Sequence, residues 1–114
     1  LEAVDIAAAL FALAVRKAST NLTERDFARL RARAADLRAL ALTPVQPRTF
    51  FLETVRLGQM ILDRADSPKL SNMLTDVRMG WPNILGALGF MTEQQRVTAA
   101  DKWARMIECL AASE

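Results

Sequence analysis

This 114-residue chain predicts an all-α fold, an antiparallel helical bundle of about six helices forming one domain over residues 1–114. Three features carry the prediction. Ala, Leu and Arg dominate the sequence, and all three are good helix formers. Val, Ile and Thr never cluster at alternating positions, so no strand signal arises. Turn and cap residues divide the chain into segments of ordinary helix length.

The first helix is expected over residues 2–19. Ile6, Leu10, Leu13 and Lys17 share one stripe, and the many flanking Ala residues suit close approach to a neighbouring helix. Thr20 and Asn21 break it. Thr23 opens the second helix with Asp26 three residues on, a capping box with Asp in place of Glu. Its core stripe reads Phe27, Leu30, Ala34, Leu37, Ala41. Arg25, Arg29 and Arg33 lie four apart on another face with Asp36 nearby. An anion-binding patch is one reading of that face. A solvated face of mixed sign is the favoured one.

The run Thr43-Pro44-Val45-Gln46-Pro47 is the clearest loop. A third helix is expected over residues 48–64, with Phe51, Val55, Leu62 and Ala65 inward. Gly58 within it costs about 1 kcal/mol relative to Ala and needs a local reason, either close packing or room for a ligand. Ser67 caps and Pro68 begins the fourth helix, which carries Leu70, Met73, Leu74, Val77 and Trp81 inward until Pro82 kinks or ends it. Residues 84–90 read as a kinked continuation or a short separate helix. Thr92 and Gln95 form a second capping box. The last helix then buries Val97, Ala100, Trp103, Ala104, Ile107 and Leu110.

Composition excludes several function classes. Fifteen basic residues nearly balance thirteen acidic ones, giving a net charge of +2 rather than the strong excess of a nucleic-acid-binding domain. With no His in the sequence, the usual general base and the usual metal ligand are both missing. A single Cys precludes an internal disulfide and a Cys-rich zinc site and suits the cytoplasm. That residue, Cys109, is expected to be a buried, inert thiol. The apolar run over residues 6–15 is too short to span a bilayer. Candidate carboxylate pairs, Glu53 with Asp63 and Asp101 with Glu108, are read as surface charges not spaced to share a helix face. No enzyme activity is expected, because no set of titratable groups converges. Hydrophobic residues make up 52% of the chain, so either the core is unusually large or apolar surface is left over for a partner, and surplus apolar surface usually closes in the isologous contact of a homodimer. The opening at Leu1, already in a helical pattern, reads as a piece of a longer protein.

Three segments resemble a known family. Residues 12–19, Ala-Leu-Ala-Val-Arg-Lys-Ala-Ser, followed by 22–30, Leu-Thr-Glu-Arg-Asp-Phe-Ala-Arg-Leu, look like the opening of the C-terminal effector domain of GntR-type bacterial transcription regulators of the FCD-type subfamily. Arg64-Ala65-Asp66-Ser67-Pro68-Lys69-Leu70 resembles that family's Ala-Ala-Gly-Asn-Pro-x-Leu turn. Residues 102–110, Lys-Trp-Ala-Arg-Met-Ile-Glu-Cys-Leu, resemble its Glu-His-x-x-Ile-Leu-x-Ala-Leu stretch.

The resemblance implies a ligand-sensing and dimerisation module. DNA would be reached only through an N-terminal winged helix-turn-helix outside this chain. It also implies a metal site that this sequence has lost. Counting from Pro68, the family's Asp position falls on Thr54 and a His position on Gly58. A second His position falls on Trp103. No metal or other cofactor is therefore expected. A pocket between the third, fourth and last helices would be lined by Thr54, Gly58, Trp103 and Arg78. Arg78 joins on physical grounds: it follows core Val77, and a buried guanidinium would want a small carboxylate effector. The other reading lets Arg78 reach solvent past its own stem. A structural helical interaction domain, with Gly58 and Trp103 as packing alone, is the second hypothesis.

Overall fold

Local signals set the helix boundaries in the computed structural model, which describes residues 2–79 and 88–112, with side chains for 9–73 and 89–112. Helix α1 spans Glu2–Ala18 and α2 Glu24–Ala41. Thr23 caps α2 as expected: its hydroxyl accepts from the Asp26 amide at 3.1 Å, and the Asp26 carboxylate accepts from the Thr23 amide at 2.9 Å. Helix α3 spans Pro47–Asp63, with Pro in the first turn where its missing N–H costs nothing. Helix α4 spans Pro68–Met79, and the Leu70 amide donates to Ser67 Oγ at 3.3 Å. Helix α5 spans Glu93–Ala112. Its capping box is complete, with Gln95 N to Thr92 Oγ1 at 3.1 Å and Thr92 N to Gln95 Oε1 at 3.0 Å.

The described residues are thus helical without strands, in five α-helices rather than about six, plus a 3-10 turn at Leu88–Phe90. Residues 84–87, on which the sixth helix was expected, lie outside the described residues, as do Trp81 and Pro82. No helix among the described residues is long and apolar enough to cross a membrane.

Helix α2 packs between α3 and α5, and α1 packs on α3 and α4. The shortest dimension of the molecule is 16 Å, room for two layers of helices packed at the usual 8–10 Å. Phe50, Leu30, Ile61 and Ile107 are the largest fully buried side chains among the described residues. Each such side chain contributes about 1.5–3 kcal/mol by leaving water. Phe90 joins the core from the 3-10 turn, with ring centroids 5.0 Å from Phe50 and 6.2 Å from Phe51.

The buried stripe of α2 matches the pattern for Leu30, Ala34, Leu37 and Ala41, with Phe27 half-buried. Two other stripes are displaced. Among the described side chains of α1 the fully buried ones are Ala14 and Ala18, whereas Leu13 is 37% exposed and Lys17 is exposed, and Ile6 lies outside the described side chains. The small side chains take the closest helix contact, where a Leu would hold the backbones apart. On α3 the interior holds Phe50, Thr54, Leu57, Gly58, Ile61 and Leu62, and Phe51 and Val55 are only half-buried. That helix has two apolar stripes, and the one interrupted by Thr and Gly faces inward. Met73 on α4 is 45% exposed rather than inward. On α5, Ala100 and Ile107 are buried as expected, but Ala104 is exposed. Cys109 is exposed too, two residues and so about 200° of helix turn past buried Ile107.

Candidate functional site

The residues singled out from the sequence converge in part. Thr54 and Gly58 sit one turn apart on the buried face of α3. The Thr54 hydroxyl donates to its own helix, to the Phe51 carbonyl at 2.6 Å. Its hydrogen is therefore committed inside α3 rather than directed at a ligand. Gly58 meets Trp103 from α5 and Phe11 from α1. A Cβ built on Gly58 would lie 3.4 Å from Phe11 Cε1 and 3.4 Å from Trp103 Cη2. The two rings pack edge to face at 5.8 Å between centroids and 73° between planes. At Gly58 of α3, aromatic rings from α1 and α5 thus meet. Phe11 is the member that sequence reasoning missed, because it lies beside, not on, the apolar stripe assigned to α1. Arg78 lies in α4 (Pro68–Met79), and its side chain is outside the described residues.

Two clefts run along the α2–α3 seam, away from Gly58. One, of about 270 Å³, has Leu37 and Leu57 on its floor and Arg33, Asp36, Glu53 and Arg56 on its rim. Arg56 pairs with Glu53 one turn away on α3. The other, of about 140 Å³, is lined by Asp26, Arg29, Asp63 and Arg64 among others. Here α2 is tied to the end of α3: Arg64 contacts the buried Asp26 carboxylate at 3.0 Å, and Asn21 Nδ2 donates to the Arg64 carbonyl at 2.9 Å. The Asp26 carboxyl is held below its ordinary range, foremost by the hydrogen bond from the Thr23 amide. Desolvation opposes that effect, and the Thr23 side chain and the Arg64 charge add to it.

Between α2 and α5, Arg31 Nε meets Glu108 Oε2 at 2.8 Å, a two-pronged contact completed by Nη2 to Oε1 at 3.0 Å. Arg38 pairs with Asp101. Arg31 and Arg38 are seven residues apart on α2, as are Asp101 and Glu108 on α5, and the order reverses, so the two helices run antiparallel in matching register. Asp101 and Glu108 therefore do share a face of α5, contrary to expectation, because seven residues make nearly two full turns. They serve two different arginines rather than one reacting centre. Arg31 draws the Glu108 carboxyl below its usual range, chiefly through their hydrogen bonds. Both ion pairs are well exposed and add little stability.

Arg96 is the polar side chain that the sequence did not announce. It is 7% exposed. Its Nε donates to the Ala41 carbonyl at 3.4 Å, and its Nη1 to the Phe90 and Met91 carbonyls at 3.2 and 3.4 Å. A guanidinium at the C-terminus of α2 meets the negative end of the helix dipole and the carbonyls that no helical amide reaches. Arg25, Arg29 and Arg33 are all exposed. No group of three or more His, Cys, Asp or Glu residues suited to a metal ion occurs among the described residues.

Asp66 takes the left-handed conformation, with φ of 52°, and is the non-glycine residue with positive φ among the described residues. It lies in the turn between α3 and α4, where the turn it resembles in sequence carries Gly. No family model matches this chain, and neither a curated protein nor a solved structure matches it.

Proposed function

We propose that this chain is a helical assembly domain of the kind resembled by the effector domains of GntR-type regulators, and that it works without a small-molecule effector or metal. The observation that carries this reading is the cover over Gly58. At the positions where the resemblance would place a metal and its ligands, the rings of Phe11 and Trp103 pack edge to face and stand within van der Waals reach of where a Cβ on residue 58 would lie. Aromatic rings in edge-to-face contact contribute packing energy there, and neither ring is a ligand for a transition metal. The left-handed Asp66 supports the regulator-type turn, since a Gly at that position has a backbone reason.

The test is a thermal-shift screen of the intact chain against zinc, nickel and manganese ions and a panel of small carboxylates. No ligand is expected to raise the midpoint. Gly58→Leu is expected to destabilise the chain by about 1–3 kcal/mol through overpacking against Phe11 and Trp103. A ligand that stabilises the unmodified chain, and whose effect Gly58→Leu abolishes, would overturn the proposal in favour of an effector-sensing domain.

A further inference from the structure

We draw no further inference here: the strongest candidate, the leucine-floored cleft between α2 and α3 rimmed by Arg33, Asp36, Glu53 and Arg56, is an open groove with mixed charge on its rim, and nothing in the structure shows what covers it.

Discussion

Single side chains settle the joints of this molecule. Asp26 does two things at once: it completes the α2 cap and holds Arg64 at the end of α3. Its carboxyl binds a proton less tightly in the folded chain than in the unfolded one. The resulting stability is complete above the ordinary Asp value of about 3.9 and is lost as pH falls through the depressed folded value. Asp26→Ala should lower stability at neutral pH by about 1–2 kcal/mol, the cost of a lost cap and charged hydrogen bond. It should also flatten the acid limb of stability against pH. Urea midpoints for both proteins between neutral and strongly acidic pH check this, and parallel acid limbs would refute it. Asp66 carries the opposite expectation. A left-handed backbone costs an L-residue energy that glycine escapes, although glycine loses more entropy on folding. Asp66→Gly should stabilise by up to about 1 kcal/mol, and Asp66→Val should destabilise by more than about 1 kcal/mol. Thermal midpoints moving in the same direction for both variants would contradict the strain argument.

The helices themselves were largely legible. Both capping boxes were written in the sequence because a cap is a local event, settled within four residues. The stripe of α2 was legible too, since its outer face is studded with Arg and Asp and only one apolar face remains. Helices α1 and α3 are apolar on more than one side, so periodicity alone could not select between stripes. Packing buried the small residues Ala14, Ala18 and Gly58, with the rings of Phe11 and Trp103 closing on Gly58. Arg96 escaped notice for a related reason: its partners are carbonyls brought up by other elements, and a carbonyl has no sequence signature. Arg96 joins the end of α2 to the turn before α5. Arg96→Met keeps the stem but removes the donors, leaving those carbonyls short of partners. A loss of about 1–3 kcal/mol is expected, measurable by chemical denaturation. A loss under about 0.5 kcal/mol, typical of a surface change, would show that water replaces the guanidinium at no cost.

At the level of the complete chain, the proposed assembly role makes a claim about partners. Several large apolar side chains are exposed, among them Leu13 on α1 at 37% and Met73 on α4 at 45%. A homodimer that covers these two side chains is the expected state at micromolar concentration. Light scattering should give twice the 12.6 kDa chain mass, and the pair Leu13→Arg with Met73→Glu should return it to a monomer. A monomer for the unmodified chain would remove self-association from the proposal and leave assembly with a different partner. Helical class, segment order and caps were available from the linear chain, because propensity, periodicity and capping act over a few neighbouring residues. Which apolar stripe is buried, which arginine enters the core, and how Phe11 and Trp103 close over Gly58 were decided only in three dimensions. Those outcomes depend on contacts between residues dozens of positions apart, where the closeness of two helix backbones chooses among side chains that are equally apolar on paper.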